Sequence, residues 1–147
     1  MPDKARGGGL PPPPPGRAGP MTQHILIVDD EPNIVASLQF LLEDAGYAVQ
    51  VAADGAQALA AVAQSHPDLI LLDVMMPVLD GNEVCQRLKS EPSTQGIRIL
   101  MLSARCREME IAKSRELGAD GYLTKPFSTH TLLERVRELI GPQAASP

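Results

Sequence analysis

Tryptophan is missing from the sequence, and the aromatic residues are only two tyrosines and two phenylalanines. So thin an aromatic supply argues against a surface built to stack nucleic-acid bases. The two cysteines, Cys85 and Cys106, form neither a metal-binding spacing nor a disulfide framework. No apolar run reaches the roughly 18 residues of a membrane-spanning helix, and the N-terminus lacks the apolar stretch of a secretory signal. The expectation is a soluble, cytoplasmic protein with reduced thiols and no membrane partner.

What the chain has in excess is unevenly placed. Seven of its 14 prolines and five of its 12 glycines fall in residues 1–20 (Pro2, Pro11 to Pro15 and Pro20 among them), a composition that cannot build a packed core. This segment is expected to be disordered, with 142–147 a short tail and 21–141 one folded domain. Met21 is a plausible native start, and Pro11 to Pro15 would otherwise form a short polyproline II stretch. Of the 13 basic and 18 acidic residues, residues 1–20 hold three and one, so the remainder carries ten against 17, a net of −7. A net negative surface repels nucleic acid and anionic membrane, so neither is an expected direct partner.

Short apolar runs alternate with amphipathic segments. Ile25-Leu26-Ile27-Val28 reads as a strand buried on both faces. Pro32 then favours a helix start, and Ile34, Val35, Leu38, Leu41 and Leu42 mark one helix face up to Gly46. Strands are expected over 47–51, 68–72, 97–102 and 120–124. Helices are expected over 55–64, 82–89 and 104–117, the last stopped by Gly118. A final helix capped by Ser128 carries the stripe Leu132, Leu133, Val136, Leu139 and Ile140. Five strands alternating with five helices predict a doubly wound α/β sandwich, a parallel sheet with helices on both faces.

Right-handed crossovers put every strand's C-terminal end on one rim, where open α/β sheets carry their sites. The residues expected there are Asp29 and Asp30 after the first strand, Asp73 after the third, Ser103 after the fourth and Lys125 after the fifth. Three close carboxylates cannot all ionise unless a cation neutralises them. Oxygen ligands without Cys or His point to Mg²⁺. Carboxylates, Mg²⁺, a lysine and a hydroxyl together suit phosphoryl transfer, with Asp73, on the most apolar strand, the best-held nucleophile and Asp29 and Asp30 placed for the metal.

In these motifs the chain resembles the response-regulator receiver domains of two-component signalling, in the single-domain, chemotaxis-regulator-like form. The likeness rests on Ile25-Leu26-Ile27-Val28-Asp29-Asp30-Glu31-Pro32, on Leu71-Leu72-Asp73-Val74-Met75-Met76-Pro77 with Asp80-Gly81, on Leu102-Ser103-Ala104, and on Gly118-Ala119-Asp120-Gly121-Tyr122-Leu123-Thr124-Lys125-Pro126-Phe127. It spans about residues 23–140. It implies a flavodoxin-like fold with strand order 2-1-3-4-5. Asp73 would accept a phosphoryl group from a sensor histidine kinase or a histidine phosphotransfer protein. Asp30, Asp73 and the Met75 backbone carbonyl would bind Mg²⁺, with Asp29 acting through water. Lys125 and Ser103 would contact the phosphoryl group, Tyr122 would turn inward as Ser103 moves, and Lys125-Pro126 would be cis. The face formed by 105–140 would meet a downstream protein, in a monomer or a phosphorylation-dependent dimer.

The resemblance also implies that the protein is a signalling receiver rather than an enzyme, beyond assisting its own phosphorylation and dephosphorylation. Met75 and Arg105 stand where the family tunes loss of the phosphate. An aspartyl-nucleophile phosphatase would want an acid where Met75 stands, and a flavodoxin-like nucleotide binder would want Ser, Thr or Gly where Asp29-Asp30-Glu31 stands. An adaptor acting without phosphorylation, or a receiver cut from a longer regulator, completes the alternatives. Cys85 is expected in the core, and no chemistry is expected of Cys106, His24, His66 or His130.

Overall fold

A computed structural model describes residues 23–74, 80–103 and 108–141. The expectations for 1–20, for Met21, Met75, Arg105 and Cys106, and for 142–147 lie outside these residues. In chain order the elements are β1 (His24–Val28), α1 (Pro32–Asp44), β2 (Ala48–Ala52), α2 (Gly55–Ser65), β3 (Leu69–Asp73), α3 (Gly81–Ser90), β4 (Arg98–Ser103), α4 (Glu108–Glu116), β5 (Gly121–Thr124) and α5 (Thr129–Ile140). The five strands are all parallel, in the order β2-β1-β3-β4-β5.

The apolar runs of β1, β3 and β4 follow from a sheet covered on both faces. Leu26, Val28, Ile70, Leu72, Ile99 and Met101 share one core with Ala58, Val62, Val84 and Leu88 of α2 and α3. Their alternating neighbours Ile25, Ile27, Leu69, Leu71, Leu100 and Leu102 share the other with Leu38 and Leu42 of α1 and Leu132 and Val136 of α5. The two-residue period of the strand thus deals side chains in turn to two helical layers.

Helix ends follow local chemistry. Asp54, Asp80 and Ser128 each accept a hydrogen bond from the backbone N–H three residues on, capping α2, α3 and α5. Gly46 and Gly118 take φ of 101° and 103° where α1 and α4 stop. β2 starts one residue later than the sequence suggests. Tyr47, with the strand propensity of an aromatic, instead closes the end of α1: its N–H donates to the Leu42 carbonyl, and its buried ring sends the hydroxyl to the Gly141 carbonyl at 3.1 Å. The described part of the fourth helix starts at Glu108; residues 104–107 lie outside the described ones. No helix among the described residues is long and apolar enough to cross a membrane.

Candidate functional site

The C-terminal strand ends bring the expected residues together. Asp29 directly follows β1, Asp73 ends β3, Ser103 ends β4 and Lys125 directly follows β5. Parallel register sets Val28 beside Leu72 and Asp73 beside Leu102, so Asp29 and Asp73 emerge from adjacent central strands. Asp29, Asp30 and Asp73 each offer a carboxylate oxygen within 4.8 Å of the others. Asp29 and Asp73 are buried, at 2% and 5% exposure, while Asp30 is exposed at the mouth.

Lys125 is the counterweight. Its Nζ donates to Asp29 Oδ2 at 2.9 Å and stands 3.5 Å from Asp73 Oδ1. Burial is the largest single influence on this ammonium and pulls its pKa down. The hydrogen bond to Asp29 and the charges of Asp73 and Asp29 together outweigh burial, so the pKa lies above the ordinary lysine value. The backbone fixes the stem of that lysine: Lys125 N donates to the Ser103 carbonyl at 2.7 Å, and the Lys125–Pro126 peptide is cis. The second oxygen of Asp29 accepts the Glu31 N–H at 2.9 Å, so both of its oxygens are held.

One lysine against three carboxylates leaves the cluster two charges in excess, an arrangement that favours a bound cation. The donor set is all oxygen, with one carboxylate open to water, which suits Mg²⁺ better than Zn²⁺ or copper because Mg²⁺ retains waters and prefers hard ligands.

Ser103 is buried at 1% exposure, one residue before the segment outside the described ones. Tyr122 is half-buried and packs against the core shared with α2 and α3. Met75, the expected carbonyl ligand, and Arg105 lie outside the described residues. Cys85 is a core residue as expected: its Sγ donates to the Leu117 carbonyl, and burial pushes the thiol up to about 11, with Lys89 opposing and Asp120 assisting.

Two features went unread in the sequence. Gly81, one residue before the helix expected over 82–89, is the first residue of α3 and lies against the Asp73 backbone. The signal was a glycine directly after an N-cap aspartate, where most residues would extend a helix better. The second is an ion cluster at the opposite end of α3. Lys89 Nζ donates to the Gln95 and Ile97 carbonyls and to Asp120 Oδ2, and Asp120 also accepts from Ile99 N and Arg98. Partners 31 residues apart leave no periodic trace.

Known proteins supply the comparison. Residues 25–137 match the family described as the response regulator receiver domain. The alkaline phosphatase synthesis transcriptional regulatory protein PhoP of Bacillus subtilis is 47% identical over 120 residues, 82% of this chain and 49% of that protein. The chain spans about half the length of the curated relatives it matches. A transcriptional regulator among them gives no support to the expectation that nucleic acid is not a partner. The chemotaxis protein CheY4 of Vibrio cholerae superposes with a TM-score of 0.78 at 34% identity, over 81% of this chain and 99% of that one. The receiver domain of the Pseudomonas aeruginosa sensor histidine kinase PA1611, solved with magnesium coordinated in its active-site cleft, gives a TM-score of 0.75 at 30% identity, over 82% and 98%. With its fold, its strand-end cluster and its sequence in agreement, this chain belongs to the response regulator receiver domain family.

Proposed function

We propose that Asp73 is the phosphoacceptor and that a sensor histidine kinase, or a histidine phosphotransfer protein, is the donor. The observation that carries this reading is the shared ammonium of Lys125, bound to Asp29 and set against Asp73. It sets a positive charge beside the Asp73 carboxylate, where phosphoryl oxygens would arrive. An Asp73 carboxylate oxygen attacks phosphorus as the donor's P–N bond breaks, and the departing imidazole keeps the bonding pair and takes a proton. The product is an aspartyl phosphate and a neutral histidine.

Asp29, Asp30 and Asp73 would hold Mg²⁺, which when bound neutralises phosphoryl charge. Asp29, tied to Glu31 N and Lys125, acts as the fixed wall of this site, and exposed Asp30 as its open side. The Met75 carbonyl completes the proposed ligands. The new phosphoryl group brings about −1.5 to −2 charges and three acceptor oxygens. Ser103 would donate to one of them, and Tyr122 would follow it inward, changing the 105–140 face presented to a downstream protein or a second copy. Slow loss of the phosphate would reset the switch. The cytoplasm is the proposed compartment, because the kinase's phosphohistidine must be reachable there. Any effect on transcription would belong to a longer protein of which this chain is the receiver.

Incubation with acetyl phosphate and Mg²⁺, followed by intact mass, tests the reading. One phosphoryl group should be gained, and the gain should vanish in Asp73→Asn and in EDTA. A wild-type protein that stays unmodified would end the proposal.

A further inference from the structure

Gly81 does not owe its place to left-handed backbone, since it is an ordinary first residue of α3. It owes it to proximity. A Cβ at this position would lie 2.3 Å from the Asp73 carbonyl oxygen, 2.9 Å from Val74 Cα and 3.0 Å from the Asp73 carbonyl carbon. All three are main-chain atoms, so no flexible side chain can step aside.

The same residue is tethered there. Gly81 N donates to the Val74 carbonyl at 2.9 Å, and the Asp80 carboxylate fixes the helix start by accepting Glu83 N at 2.9 Å. From the other side Val74 N donates to the Leu102 carbonyl at 2.9 Å. The main chain at Asp73 and Val74 is therefore gripped between β4 and the start of α3.

We propose that Gly81 is a positioning residue for Asp73: by lacking a side chain it lets α3 press on the Asp73 backbone, and that contact sets where the carboxylate meets Lys125 and the incoming phosphoryl group. This rests on the reading of Asp73 as phosphoacceptor. A β-carbon there must push Asp73 away by about 1 Å to regain ordinary contact. Lys125 Nζ already stands 3.5 Å from Asp73 Oδ1, so a shift of that size away from the ammonium carries the contact out of ion-pair range. Misplacement of a reacting group by that much lowers a rate by up to about a hundredfold while leaving substrate encounter unaltered.

The experiment compares wild type, Gly81→Ala, Gly81→Ser and Leu88→Ala in uptake of phosphoryl from acetyl phosphate with Mg²⁺, below the unfolding temperature of each. Leu88 is buried toward the far end of the same helix, so its truncation loosens α3 without touching Asp73. Both Gly81 variants should lose roughly ten- to a hundredfold in maximal rate at an unchanged donor concentration for half-saturation, while Leu88→Ala keeps the wild-type rate. Equal rates in Gly81→Ala and wild type overturn the inference, as does an equal loss in Leu88→Ala. No uptake by wild type or Leu88→Ala means the acceptor reading itself has failed. Should the Gly81 variants not fold, amide exchange in the wild type decides. The Gly81 N–H should be strongly protected by the Val74 carbonyl, and exchange at the rate of an open chain overturns the Gly81–Val74 contact on which the inference depends.

Discussion

A single ammonium, that of Lys125, is shared by the buried carboxylates of Asp29 and Asp73, at 2.9 and 3.5 Å. It occupies the field that a metal cation would also seek. The lysine ammonium and a doubly charged Mg²⁺ about 7 Å apart at an effective dielectric near 20 repel by roughly 5 kcal/mol. Lys125→Met should therefore tighten Mg²⁺ binding, by about tenfold after partial relaxation, while slowing phosphoryl uptake. Mg²⁺ titration followed by amide chemical shifts measures the first effect. Weaker Mg²⁺ binding in the variant would mean that Lys125 organises the carboxylates more than it competes for them.

The same lysine makes alkaline stability informative. Its folded pKa lies above the unfolded value, so its contribution is fully present below about pH 10.4 and is lost as pH rises through the folded value. Tyr47 acts with the same sign: burial raises its phenol, with Arg137 opposing, so unfolding releases its proton above about pH 10. Urea unfolding from pH 8 to 11.5 should show a flat region and then a steep fall beginning near pH 10. Tyr47→Phe should flatten part of that fall. It should also cost about 1 kcal/mol at neutral pH, through loss of the hydrogen bond to the Gly141 carbonyl. An alkaline limb identical to wild type would remove Tyr47 from the linkage.

The legible and illegible parts of the molecule differ in range. β1 and β3 were readable because Ile25 to Val28 and Leu69 to Leu72 are covered on both faces, and full burial leaves an unbroken apolar run. The strand-end residues were readable because parallel topology sends Asp29, Asp73, Ser103 and Lys125 to one rim wherever the strands exactly end, to within a residue. Tyr47 was misplaced by one position because its propensity favours strand while its hydrogen bonds belong to the ends of α1 and α5. The grip of Gly81 on Asp73 and the union of Lys89 with Asp120 depend on distances between segments, and no local period encodes those.

That union has a measurable worth. Lys89 sends its ammonium to the Gln95 and Ile97 carbonyls and to Asp120, and both ionic side chains are mostly buried. Asp120 in turn accepts the Ile99 N–H. Asp120→Ala would strand a largely buried ammonium and a strand N–H together, and should cost about 2–3 kcal/mol. The Lys89→Met variant keeps the aliphatic stem and removes the charge, so the double variant should recover part of the loss. Urea denaturation of the four-member cycle gives the coupling. Strict additivity would show that the two residues stabilise the fold independently.

The carboxylate cluster should reverse its effect on stability with the cation present. In EDTA, Asp29, Asp30 and Asp73 repel one another with only Lys125 to offset them, so Asp30→Asn, at the exposed corner, should raise the unfolding temperature. With Mg²⁺ the order should invert. A cation that binds only the folded state adds about 2.7 kcal/mol at a hundred times its dissociation constant, and Asp30→Asn, having lost one ligand, should gain far less. Thermal unfolding of both proteins across a Mg²⁺ series should give two curves that cross. Parallel curves would mean that Asp30 neither burdens the empty cluster nor holds the metal, and the site would then rest on Asp29 and Asp73 alone.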